Sequence, residues 1–108
     1  MTIEPHHSAA APPENCTTMQ EVRHGVDATD RAMMALLQQR FAYMAAAARI
    51  KQSRGQVRDE ARKAEVIEAA RADAASRGLP PQAIAGLWDD LVEASIAYEL
   101  TEWDRLRG

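Results

Sequence analysis

The sequence predicts an all-α chain of three helices, the first much longer than the other two. Nothing alternates with period two for long enough to propose a strand, while apolar residues recur at helical steps along most of the chain. Two breaks, at QSRGQVRD and at the Gly78 to Pro81 stretch, divide that pattern into three. Aromatic residues make up only 5% of a chain that is 46% hydrophobic. The core is therefore built largely from Ala, Leu, Met, Val and Ile.

The long helix is expected to run from Thr17 to Gln52. Thr18 is followed three residues later by Glu21, the capping-box spacing in which each side chain satisfies a backbone N–H of the other's turn. Ser53, Arg54 and Gly55 supply the stop, Gly55 being able to take a left-handed C-terminal turn. Between them Val22, Val26, Met33, Leu37, Met44 and Ala48 recur mostly at steps of three, four or seven, so one side is apolar. Gly25 interrupts the run at a cost of about 1 kcal/mol relative to Ala, which packing must offset.

Roughly 35 residues at ~1.5 Å each make a rod of about 50 Å, whereas a compact chain of this size has a radius of gyration of only about 13 Å. Two shorter helices cannot cover so long a stripe, so a second copy is expected along it, as an intertwined homodimer. The cations agree. Arg40 and Lys51 lie about three turns apart on one face, with Cα atoms about 16 Å apart, and can converge on a small anion. Arg23 is about 25 Å from Arg40 and rotated by roughly 100°, so it can join such a site only in a partner chain.

The second helix fits DEARKAEVIEAARADAASRG, with Ala61, Ala64, Val66, Ile67 and Ala70 inward and Gly78 closing it. Asp59 and Glu60 lie in its first turn, at the positive end of the dipole, and Arg62 follows close to the connection. The third helix opens at LPPQ, proline being suited to a first turn, and offers Ile84, Leu87, Leu91, Ile96, Leu100 and Trp103 for burial. Ser95 and Glu99, four residues apart, share one face.

Composition also excludes. A net charge of -3 argues against nucleic acid as a partner, which needs clustered excess cations. No apolar run approaches 18 residues, so no membrane span is expected. The opening MTIEPHHSAAAPPEN lacks the basic and apolar regions of a secretory signal, and a cytoplasmic location follows as the expectation. That stretch, residues 1–15, reads as a disordered tail ahead of one helical domain over residues 16–108, with His6 and His7 as incidental metal ligands at most. Cys16, the single cysteine, allows no internal disulfide and no thiolate metal cluster, and makes a poor nucleophile beside a tail. No metal and no cofactor are expected.

Three cations, a serine and a carboxylate without nucleophile or cofactor suit a reaction within a single molecule. The protein then fixes a compact conformer and stabilises charge that develops in the transition state. A dianionic substrate matches, since guanidinium forks bind carboxylates in a bidentate way. The plainer reading is a solvated or ion-paired surface, and a small helical dimerisation module without activity stays open beside it.

The pattern ENCTTMQEVRHGVDATDRAMMALLQQRFAYMAAAARIK, with Arg23, Arg40 and Lys51 at these intervals, resembles the first helix of the all-helical chorismate mutases, a family that includes the isochorismate-pyruvate lyases. VRDEARKAEVIEAA resembles the start of the family's second helix, and SIAYE its third-helix site segment. The resemblance implies an intertwined dimer with two equivalent active sites, each completed by Arg23 of the opposite protomer. It implies that Arg40 binds a substrate carboxylate and that Lys51 donates to the breaking ether oxygen and a carboxylate. Asp59 and Arg62 match residues over the substrate, Arg62 as a further carboxylate partner. Ser95 matches a serine near a carboxylate, and Glu99 the second donor to the ether oxygen.

Two departures stand out. Many members have Gln in place of Glu99, and Glu99 can donate only when protonated; activity is then expected to decline as pH rises through its titration, and Glu99→Gln to flatten the profile. Lys63 stands where mutases commonly place a Glu that contacts the ring hydroxyl. The NCTTMQEVR opening leans toward the lyases and Arg62 after VRDEA toward the mutases; the mutase reading is preferred. For single positions the structural alternatives are that Ser95 back-bonds its own helix, that Asp59 only complements a helix dipole, and that Trp88 and Trp103 pack.

Overall fold

Glu21 Oε1 accepts the backbone N–H groups of Thr17 at 2.8 Å and Thr18 at 3.1 Å, while Thr18 Oγ1 accepts the Glu21 N–H at 3.1 Å. This capping box opens α1, which spans Met19–Ile50. The computed structural model describes residues 10–108, and the tail reading for residues 1–9, His6 and His7 included, lies outside them. Two further helices follow, α2 over Glu60–Ser76 and α3 over Pro81–Arg107, with short 3-10 turns at Pro13–Asn15 and Arg54–Gln56. The described residues contain no strand, so the all-α expectation holds.

The helix stops refine the sequence reading. Gly78 takes φ +74°, donates to Ala75 O at 3.2 Å, and lets Leu79 N–H reach Ala74 O at 2.9 Å, the paired bonds that close α2. Gly55 behaves otherwise. α1 ends at Ile50, ahead of the predicted stop, and Gly55 sits inside the 3-10 turn without a positive φ. There the Gln56 side chain accepts the N–H groups of Gln52 at 2.9 Å and Ser53 at 3.1 Å, a capping box that opens the 3-10 turn directly after α1, so the chain turns there without a left-handed glycine. Asp59 is the N-cap of α2 rather than part of its first turn, accepting the Arg62 N–H at 3.0 Å.

Two compact units divide the chain, Met1–Arg40 and Phe41–Gly108. In the second, Val57, Val92 and Ile96 form the buried cluster, with Val66, Leu100 and Trp103 packed against it. Ala48 and Ala74 are also buried, and Phe41 meets the Tyr98 ring edge-on at 5.1 Å. Three alanine and leucine assignments change: Ala61, Ala64 and Leu87 are exposed, because periodicity names a face without saying which neighbour covers it. In the first unit Val22, Val26, Met33, Met34 and Leu36 are exposed. No described helix is long and apolar enough to cross a membrane.

Candidate active site

Lys51 follows the last residue of α1, and its position is set by how that helix ends. Its own N–H still donates to Ala47 O at 2.9 Å, one more bond of the ladder, so the side chain leaves from a fixed backbone. The ammonium lies 2.8 Å from Glu99 Oε2 and reaches Val57 O at a long 3.5 Å. Glu99 belongs to α3 and is only 3% exposed. The sequence-predicted pair therefore meets.

The contact is an ion pair without hydrogen-bond geometry, and Glu99 Oε2 has no hydrogen-bond partner. The ammonium charge compensates the buried oxygen, whose lone pairs remain open to a further donor. Lys51 is partly exposed, its side chain at 30%, so the pair is a buried carboxyl reached by a cation at the edge of solvent. A protonated carboxyl beside an ammonium offers two donors to one point, whereas an ionised one offers an acceptor.

Ser95 lies one turn before Glu99 on α3, is buried, and donates to Leu91 O at 2.7 Å. Back-bonding to its own helix is thus observed. Asp59 and Arg62 are exposed; the Asp59 carboxylate caps α2, and the Arg62 guanidinium pairs with Glu65 at 3.4 Å. Arg40 is half-buried and Arg23 exposed, both within the Met1–Arg40 unit. That unit also holds a groove of about 530 Å³ lined by Pro13, Cys16, Val22, Val26 and Thr29 among others, with Asp30 its charged member. Neither Arg23 nor Arg40 lines it, and an acidic, largely apolar groove does not suit a dianion. Among the described residues no cluster of His, Cys, Asp and Glu could hold a metal ion.

Lys63, the second departure, is occupied within the chain. Its ammonium donates to Glu93 Oε2 at 2.6 Å and pairs with Asp89 at 3.2 Å, while the Arg58 guanidinium holds both oxygens of Glu93 at 3.0 and 2.8 Å. Arg58, and after it Lys63, pull the Glu93 carboxyl down to about 2. Sequence reasoning missed this network. The i, i+4 spacing of Asp89 and Glu93 was visible, but that Arg58 of the connection and Lys63 of α2 face it was not.

It also missed the residues that hold Lys51 from behind. Trp103 Nε1 donates to Lys51 O at 3.1 Å, and Arg107 Nη2 donates to the same oxygen at 2.7 Å. Arg107 stacks over the Trp103 ring at 4.3 Å and donates to Ala48 O at 3.0 Å, so it also serves a carbonyl left open in the last turn of α1. A cation there complements the negative end of the helix dipole.

Comparison with known proteins bears on the substrate class. The isochorismate pyruvate lyase of Pseudomonas aeruginosa is 28% identical over 96 residues, covering 89% of this chain and 95% of that protein. The family described as chorismate mutase type II matches residues 22–100. That match runs from the first turn of α1 to the residue after Glu99, well over half of the chain, and the protein belongs to the chorismate mutase type II family.

Proposed function

We propose that the protein converts chorismate to prephenate by a Claisen rearrangement. The observation that carries this reading is the Lys51 ammonium 2.8 Å from a buried Glu99 oxygen that has no hydrogen-bond partner, in a chain of the chorismate mutase type II family. The ether C–O bond breaks as a C–C bond forms within one molecule, and negative charge grows on the ether oxygen. Lys51 donates to that oxygen, and Glu99 donates when protonated. Arg40, together with Arg23 of a second copy, binds the two carboxylates and holds the compact conformer; Arg62 and Ser95 assist, and Asp59 lies over the substrate.

The magnitudes are sufficient. A millionfold acceleration needs about 8 kcal/mol, and one preorganised donor to a developing oxyanion supplies about 3 to 4 kcal/mol. Two donors and selection of the reactive conformer reach it without a covalent step. The homodimer in this reading is supported by the exposed Val22, Val26 and Met33 of α1, an apolar stripe that a second copy would cover.

A second reading, elimination of pyruvate from isochorismate to leave salicylate, is favoured by the relative from Pseudomonas aeruginosa, whose length this chain spans almost completely. Incubating the protein with each substrate decides between them. Prephenate from chorismate is the expected product. Salicylate from isochorismate without prephenate would move the assignment to the lyase, and neither product would leave a helical dimerisation module.

A further inference from the structure

We infer that Trp103 and Arg107 are positioning residues for the reaction: with Glu99 they form one stripe of α3 that grips Lys51 at three points. The inference rests on the assignment of Lys51 as the donor to the substrate and goes beyond it. Glu99, Trp103 and Arg107 follow one another at four-residue intervals, so they share a helix face. Each touches the same lysine. Glu99 Oε2 lies 2.8 Å from its Nζ, and its carbonyl oxygen accepts both the Trp103 indole N–H at 3.1 Å and the Arg107 guanidinium at 2.7 Å.

The consequence follows from where Lys51 sits. The Lys51 N–H closes the last bond of the α1 ladder, to Ala47 O at 2.9 Å, but its carbonyl lies past the helix end, and a chain leaving a helix frays unless that group is tied down. Here the tie comes from α3, the helix that also carries Glu99. Donor amine and buried carboxyl are therefore referenced to one rigid element, and the lysine's approach is set by two bonds to its backbone as well as one ion pair to its tip. Arg107 adds bonds to Ala48 O at 3.0 Å and, more weakly, Arg49 O at 3.5 Å, so that one guanidinium spans the last turn of α1. Stacking on Trp103 at 4.3 Å holds that guanidinium in place.

Two measurements on Arg107→Gln, Arg107→Lys and Trp103→Phe test the clamp. In the first, limited acetylation with acetic anhydride is read by mass spectrometry as the ratio of Lys51 to Lys63 labelling. Lys63, held by Glu93 and Asp89, serves as the internal reference. The Lys51 ratio should rise several-fold in Arg107→Gln and Trp103→Phe and lie between these and the wild type in Arg107→Lys, which keeps a cation at the helix end. In the second, kcat on the substrate turned over by the wild type should fall about tenfold or more, as loss of alignment does, while KM changes by less than about twofold. An unchanged labelling ratio in both Arg107→Gln and Trp103→Phe overturns the clamp, as does a KM effect with kcat intact. Arg107→Lys guards against a variant that simply unfolds. Labelling decides the clamp even if the wild type turns over neither substrate, so failure of the clamp and failure of the catalytic reading are distinguishable.

Discussion

The two units treat the same kind of sequence pattern differently, although Ile50 and Leu87 of the second are exposed as well. Within Phe41–Gly108, Val57, Val92 and Ile96 are buried, and Val66, Leu100 and Trp103 close around them. Within Met1–Arg40, α1 leaves Val26, Met33, Met34 and Leu36 exposed, Met34 to 64%. An apolar stripe is only half of an interface, and helical periodicity cannot say where the other half comes from. In the second unit it comes from the chain's own later helices. In the first, the proposal brings it from a second copy, and the guanidinium of Arg23 comes with it.

The sharpest way to break that contrast is to remove the chemistry from one side. Lys51→Ala should lower kcat/KM by about a thousandfold, the scale of losing one donor to a developing oxyanion, with circular dichroism unchanged. A loss below tenfold would take Lys51 out of the reaction. Arg23→Ala should also be nearly inactive. The two defective chains, unfolded together and refolded, should then recover about a quarter of wild-type activity, because half the random dimers carry one whole site. Absence of any recovery would show that no residue is exchanged between copies.

Stability should follow the same division. Ile96→Ala, in a side chain 8% exposed, should cost about 2 to 5 kcal/mol at any protein concentration, as read by urea unfolding. Met33→Glu should act instead on association, giving a monomer by light scattering at concentrations where the wild type is dimeric. The smallest effect is expected at acid pH. With its pKa held near 2 in the folded chain against 4.5 as the ordinary value, Glu93 contributes stability above about pH 4.5 that is lost as pH falls toward 2. Glu93→Gln should make acid unfolding slightly less steep in that window, and an unaltered acid transition would assign the Arg58 and Lys63 contacts no role in stability.

Features carried by neighbouring residues were legible. Thr18 and Glu21 form the capping box that their spacing announces, and Gly78 closes α2 with the left-handed turn expected of it. Lys51 and Glu99 meet, as the family resemblance implied. Gly55 was not legible, because α1 ends at Ile50 and a 3-10 turn capped by the Gln56 side chain takes up Gly55, which leaves glycine's freedom unused. Ala61, Ala64 and Leu87 were misassigned to the interior for a related reason. Small or isolated apolar residues carry little directional information, and their burial depends on what packs against them. Ser95 shows both readings at once, since it is buried on the site stripe and donates to its own helix.

The order of residues by itself determined three helices, two of their caps and the spacing of the cations along α1, because capping and a 3.6-residue period act within a few positions of the chain. Only the tertiary structure decided that the carbonyl of Lys51 is taken by Trp103 and Arg107 and that Lys63 is spent on Glu93 and Asp89. Those contacts join residues far apart in sequence. Their partners are chosen by how α3 packs against the end of α1 and against α2, which no local pattern encodes.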